Sequence, residues 1–363
     1  MLCWPSRIFA FMTLVWLAAP ACLAADAPLH WREETHKLLF DPGDGFYCYA
    51  PCAIQENDRL QLFACRNETA GVIRDHLYRL DCSADQSPRL QLVLAPAQKD
   101  GWDSFHVCDP SVIEGEFHVD GATRRYALFY LGNNVDACKN NQIGVALADD
   151  LAGPWRRSAQ PIVPDTQVGH WGTGQPSAVS IDRKGRVILF YTRLANHRVS
   201  GYFRELDLSA MDAPIIGPET ALPTKGLLKS NGRPDWLNNF DVVRDTSRNR
   251  YLIVREQHPE PSNEPRFISA QLQICAIPLD LKSAVSWRRL GELTPQMSRS
   301  PRNHNACFVR TSFGDLPDPS KATVIFTTAK AEPELHGVFA PWTYQLHEIS
   351  ATLGDSPQMA GTR

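Results

Sequence analysis

Acid–base catalysis is the chemistry this sequence is best equipped for. Asp109 opens the apolar run Cys108-Asp109-Pro110-Ser111-Val112-Ile113, Glu256 closes the run from Tyr251, and Glu68 follows the run Leu60 to Cys65. Asp103, Asp235 and Asp241 come next in line. Cleavage of an acetal with either stereochemical outcome needs two carboxyl groups across the reacting bond, one protonated and one ionised. Asp109 is expected as base or nucleophile and Glu256 as acid, with the neighbouring Arg255 opposing any rise in the Glu256 pKa. Nucleophilic schemes fit less well, because no Gly-x-Ser-x-Gly elbow, Walker loop or dinucleotide fingerprint appears.

What positions these groups is a repeat. A short apolar strand opened by a polar or Pro-containing corner, then a second apolar strand, occurs five times. Aligning Pro51, Pro110, Pro176, Phe240 and Ala306 gives spacings of 59, 66, 64 and 66 residues. Each copy continues with a third strand-like run, such as Gln142 to Leu147, and usually a fourth, such as Arg89 to Leu94. Four strands per unit without helix periodicity predict an all-β chain, a five-bladed β-propeller over residues 45–350. The last unit lacks a fourth strand, and Leu29 to Asp41 is expected to supply it. Residues 25–44 are thus an N-terminal segment that closes the ring, and 351–363 a tail.

In such a unit the start of the first strand and the end of the second share one mouth. That places Asp109, Gln175, Asn239, His304 and Asn305 with Glu68, Arg193, Arg255, Glu256 and Lys330. Trp102, Trp171 and Trp236 precede inner strands and should rim the mouth. Carboxylates, amides and guanidinium groups for hydroxyls, with Trp faces for rings, are the equipment of a carbohydrate site. Asp241 interrupts a series of small residues facing the axis: Cys52, Ser111, Ser177 and Cys307. A carboxylate there must be paired, protonated or bound to a cation. It could hold a structural ion such as calcium together with His304, or pair with an Arg such as Arg193; no cofactor is otherwise required.

Composition narrows the partners. The 363 residues carry 37 Lys plus Arg against 40 Asp plus Glu, a formal charge of −3, and no block of like charges. Nucleic acid, which needs a basic stripe, is set aside, and the chain is expected to act as a monomer. Residues 1–24 read as a cleaved export signal, with Arg7, an apolar run from Ile8 to Ala19 and small residues before Ala25. That run is too short for a comfortable membrane span. Secreted or periplasmic placement follows, and the eight later cysteines form an even set compatible with disulfides of unassigned pairing.

With the five repeats, the corner Asp109-Pro110-Ser111-Val112-Ile113, Ile143 to Ala148 leading to Gly153-Pro154-Trp155, and the run Asn303-His304-Asn305-Ala306-Cys307-Phe308, the chain resembles the five-bladed propeller glycosidases, of which glycoside hydrolase family 43, the arabinanases and xylosidases, is nearest. The resemblance implies a base Asp on the first inner strand, a second Asp on the second, an acid Glu on a later blade and a His near a central ion. Asp109 matches the second position and His304 the last. Ala50 stands at the first, and Asn238 or Asn239 at the fourth-blade position. The expectation is an exported hydrolase of pentose- or furanose-containing polysaccharide. Its rivals are a propeller that binds glycan without cutting it, and a phosphorylase using Arg193, Arg255 and His304 around phosphate.

Overall fold

The computed structural model describes residues 28–354, apart from 57–58, 83–87, 99, 137, 166–168, 196–197 and 283–284. The expected export signal, 1–24, lies outside the described residues, as does 355–363. The chain is almost entirely β. After β1 (Leu29–Phe40) come β2 (Cys48–Glu56), β3 (Arg59–Asn67), β4 (Asp75–Cys82) and β5 (Arg89–Leu94). The second unit is β6 (His106–Val119), β7 (Ala122–Asn133), β8 (Gln142–Ala148) and β9 (Arg156–Arg157). The third is β10 (Thr173–Ser180), β11 (Arg186–Ala195) and β12 (Arg198–Asp207), whose outer edge pairs with β13 (Ile215–Ile216) and β14 (Thr220–Ala221). The fourth is β15 (Phe240–Asp245), β16 (Arg250–Glu256), β17 (Leu272–Pro278) and β18 (Arg288–Leu293). The fifth is β19 (Arg302–Arg310), β20 (Lys321–Ala329) and β21 (Gln345–Leu353), which runs three residues beyond the expected end at 350.

Each unit is an antiparallel meander. β1 pairs antiparallel with β21, Leu29 opposite Leu353, and so forms the fourth strand of the last unit. β19 and β2 pair in parallel, Val309 opposite Ala53, which joins the last unit to the first in one eight-stranded sheet. The second strands β3, β7, β11, β16 and β20 are buried on both faces along their middles and so carry near-continuous apolar runs rather than alternation. Their side chains fill five clusters, one between each consecutive pair of units and one between the last and the first. Phe63 and Leu128 meet in one, Phe129 and Tyr191 in the next, and Phe190 and Tyr251 in a third. Leu252 and Phe326 meet in the fourth, and Leu62 and Ile325 in the last.

The inner strands share one backbone irregularity. Ala50, Asp109, Gln175, Asn239 and Asn305 all have positive φ, between 41° and 53°. In four of the five strands the pairing register slips there, between Tyr49 and Cys52, Cys108 and Ser111, Gly174 and Ser177, and His304 and Cys307. Such bulges suit Pro51, Pro110 and Pro176, which have no N–H to offer a ladder. They also turn one side chain per strand out of the sheet.

One guanidinium holds the five inner strands together. Arg310 on β19 is fully buried and donates to Ala178 O at 3.0 Å, Val242 O at 3.3 Å and Ser111 Oγ at 2.9 Å, with Cys52 Sγ at 3.6 Å. These atoms belong to β10, β15, β6 and β2. Its charge faces Asp241, Nη1 to Oδ1 at 3.6 Å. A disulfide between Cys65 at the end of β3 and Cys108 on β6 ties the first two units. Closing a loop of 43 residues is worth roughly 4 kcal/mol in the chain-entropy picture.

Candidate active site

The five residues with positive φ line one narrow cavity of about 40 Å³. Above it opens a wider one of about 300 Å³, whose lining includes Asp75, Asp109, Trp171, Gln175, Asn239, Phe267, His304, Asn305 and Tyr344. Three of these positions, Gln175, Asn239 and Asn305, form a chain of contacts with Glu256 on its floor. Asn239 donates from its backbone N–H to Gln175 Oε1 at 3.1 Å, and Gln175 Nε2 donates to Asn239 Oδ1. Asn239 Nδ2 donates to Glu256 Oε1 at 2.7 Å, and the Asn305 N–H reaches the same oxygen at 3.2 Å. Both bonds fall on Oε1, leaving Oε2 for a proton.

Three carboxyl groups lie in or behind this lining in different electrostatic states: Asp75 and Asp109 line the wide cavity, and Glu256 sits behind Asn239 and Asn305 and lines neither cavity. Burial pushes Glu256, 2% exposed, up to about 8, with Asn239 and Asn305 only partly opposing it. The Arg255 guanidinium is spent elsewhere, fully buried, with Nη1 on Asp235 at 2.7 Å and on Glu256 O at 2.7 Å. Asp109 is raised to about 7, first by burial and then by the charge of Asp75. Asp75 goes the other way. Burial pushes it up, but His106 and two phenols outweigh that and leave it lowered. Tyr47 Oη donates to Oδ1 at 2.6 Å and Tyr49 Oη to Oδ2 at 2.9 Å. His106 Nδ1 lies 3.1 Å from Oδ2 and 2.8 Å from the Asp75 amide nitrogen, and serves one of them at a time.

Sequence reasoning passed over Asp75 because it opens β4, a third strand, where the repeat has no recurring signature. The available signal was a carboxylate heading the buried run Asp75-His76-Leu77-Tyr78. Phe267 was missed as well: half its surface is exposed and it lines the wide cavity, an apolar face offered to a ligand.

Other expected residues lie elsewhere. Glu68 is exposed and reaches His76 Nε2 at 3.3 Å; it does not line the cavity. Trp102 is packed on Tyr130, ring centroids 5.7 Å apart, in a slot that Gly132 and Gly144 leave open. Asp103 beside it is buried, taking Tyr130 Oη at 2.9 Å and Arg157 Nη1 at 2.6 Å. Trp236 has one face on His258 at 3.8 Å, and Lys229 and Arg198 over its ring at 4.5 and 5.2 Å, so no face remains for a sugar. Arg193 is engaged by Glu219 at 2.6 Å. Trp171, Gln175 and Asn239 do line the mouth.

His304 and Asp241 each have partners of their own. Asp241 accepts from Ser177 Oγ at 2.7 Å and the Phe308 N–H at 2.9 Å, and the guanidinium facing it is Arg310 rather than the expected Arg193, which pairs with Glu219. Burial lowers His304 to about 4, so its ring is neutral; Nδ1 contacts Asn305 Oδ1 at 2.5 Å, and the buried Nε2 has no partner. Among the described residues the one group with metal-ligand spacing is Cys65, Cys108 and Asp109, whose sulfurs are spent in the disulfide. Nor do Arg193, Arg255 and His304 make a phosphate pocket, since both guanidiniums are paired and the ring is neutral.

No protein-family model matches the sequence, and no curated protein does. Solved structures match well in fold. A thermostable family-43 glycoside hydrolase aligns at TM-score 0.55 and 14% identity, covering 87% of this chain and 96% of its own. An alpha-L-arabinofuranosidase from Podospora anserina in complex with cellotriose aligns at 0.57 and 13%, covering 90% and 98%. A family 117 glycoside hydrolase from the marine bacterium Zobellia galactanivorans aligns at 0.56 and 15%, covering 89% and 90%. The chain therefore has the fold seen in these glycoside hydrolases over nearly all of its described length.

Proposed function

We propose that this chain is an exported glycoside hydrolase on a five-bladed β-propeller, cutting a pentose- or furanose-containing polysaccharide at the mouth of its central channel. The observation that carries the reading is the pair Asp109 and Glu256. Two carboxyl groups with pKa values raised to about 7 and about 8 belong to this mouth, Asp109 in its lining and Glu256 held behind it by Asn239 and Asn305, which leaves a range of pH where the first is ionised and the second protonated. The five inter-unit clusters and the β1–β21 pairing support the propeller. The disulfide supports an oxidising compartment. Among the described residues no helix is long and apolar enough to cross a membrane.

In this mechanism Glu256 gives its proton to the glycosidic oxygen as the bond to the anomeric carbon breaks. Asp109 takes a proton from the water whose oxygen bonds to that carbon. Asp75, held by Tyr47 and Tyr49, is a fixed negative charge that keeps the Asp109 pKa high enough for it to act as a base near neutrality. Phe267 and Trp171 offer apolar faces to sugar rings. The arabinofuranosidase and family-43 neighbours support the substrate class.

A binding propeller without catalysis is the second reading, favoured by Ala50 at the family's base position and by the depth of Glu256. Release of reducing ends from arabinans, arabinoxylan, xylans and fructans separates the two. The hydrolase loses that activity on Asp109→Asn and on Glu256→Gln; a binding protein shows ligand-dependent stabilisation and no product.

A further inference from the structure

Beside the mouth, over the fifth unit, lies a second cavity of about 540 Å³, inside the roughly 300–1,000 Å³ range of small-ligand sites. Tyr344 lines both cavities and forms the wall between them. Trp342 stands in the second one, with one side of its indole packed at 5.6 Å on Tyr47, the phenol that holds Asp75. Around the indole are groups of both charges. Arg299 and Lys330 are exposed and have no carboxylate partner among the described residues, and the carboxylates of the lining are Asp41, Asp44 and Glu332. The lining has no large aliphatic side chain, so an apolar ligand finds little to bury. A molecule with many hydroxyls and one apolar ring face finds an indole, two cations and three carboxylates.

We infer that this cavity is a remote saccharide subsite, which receives the part of a glycan chain extending past the mouth over Tyr344. The inference rests on the glycan reading of the mouth and adds to it: the ligand is a chain of several residues, not a single terminal sugar. Binding energy gathered there is remote from the reacting bond, where it anchors long substrates and leaves short ones unaffected. Trp342 is unsuitable as a test position, because through Tyr47 it supports Asp75. Arg299 and Lys330 are solvent-facing and touch none of the mouth groups.

The test is calorimetric titration with arabino- and xylo-oligosaccharides of increasing length, disaccharide to hexasaccharide. It uses the full-length protein and the double variant Arg299→Ala, Lys330→Ala, with thermal unfolding to verify that both are folded. The intact protein is expected to gain about tenfold in affinity between the short and the long ligands, and the double variant to lose most of that gain while holding disaccharide as before. An equal gain in both proteins overturns the subsite and leaves the mouth reading intact. Absence of binding at every length overturns both.

Discussion

Asn239 Nδ2 donates to Glu256 Oε1 at 2.7 Å, so the amide opening the fourth inner strand holds the carboxyl that closes the strand beside it. A carboxylate expected at the strand start has its counterpart one hairpin step away. The amide's bond favours the ionised form, and burial outweighs it. Glu256 therefore stays protonated near neutrality while fixed in place by two donors, the state a general acid needs.

Activity should follow a narrow bell in pH. Asp109 loses its proton near pH 7 and Glu256 near pH 8, so kcat/KM is expected to rise through the first and fall through the second, with a maximum near 7.5. The limbs belong to the coupled pair, not to single residues. Initial rates between pH 5 and 10 check this; a plateau extending below pH 6 contradicts the assignment of Asp109.

Asp75→Asn separates a charge effect from a packing effect. Removing the charge lowers the Asp109 pKa, so the acid limb should move to lower pH while the alkaline limb stays near 8. Two phenols lose an ionised acceptor, at a cost of about 1–3 kcal/mol. A uniform loss of activity at all pH values would assign Asp75 a structural role only.

Glu256→Gln should be more stable than the parent protein, and only at higher pH. In the unfolded chain the carboxyl ionises near its ordinary value of 4.5; in the folded chain it holds its proton to about 8. Because the folded state binds the proton more tightly, stability is undiminished below pH 4.5, falls as pH rises between the two values, and carries the whole penalty above 8. Melting temperatures of the two proteins should coincide near pH 4 and diverge through pH 5–8 by the equivalent of a few kcal/mol. A constant difference across that range would show that the carboxyl ionises in the folded state as easily as in the unfolded one.

Arg310→Met should cost about 3–5 kcal/mol, because it strands Asp241 as an unpaired charge among buried strands. Adding Asp241→Asn should recover part of the loss. Denaturant unfolding of both variants measures this, and equal stability of the single and double variants would show that the two side chains are not coupled.

Much of this architecture is legible in the residues themselves. The five corners mark Ala50, Asp109, Gln175, Asn239 and Asn305 as equivalent, and these are the positions with positive φ around one cavity. The runs Leu29 to Asp41 and Arg89 to Leu94 also lie where β1 and β5 form. What the pattern cannot give is which way a residue at a strand end faces. Arg255 and Glu256 are consecutive, so alternation sends one into the sheet interface with Asp235 and the other to the mouth. Trp102 and Trp236 sit on the right loops, but their rings are consumed by Tyr130 and His258. Arg310 was hidden for a different reason: at the end of an inner strand an Arg looks like a solvated cap, and only its contacts in the fold show it reaching the other four strands.

Product release is the measurement that bears most directly on the central claim. The purified protein, Asp109→Asn and Glu256→Gln are incubated with arabinans, arabinoxylan, xylans and fructans at pH 7.5, and new reducing ends are counted. The account predicts cleavage of at least one of these glycans by the unaltered protein and a loss of about 100-fold or more in each variant, the scale of a missing general acid or base. Binding without cleavage by the unaltered protein, or full activity in either variant, would contradict it.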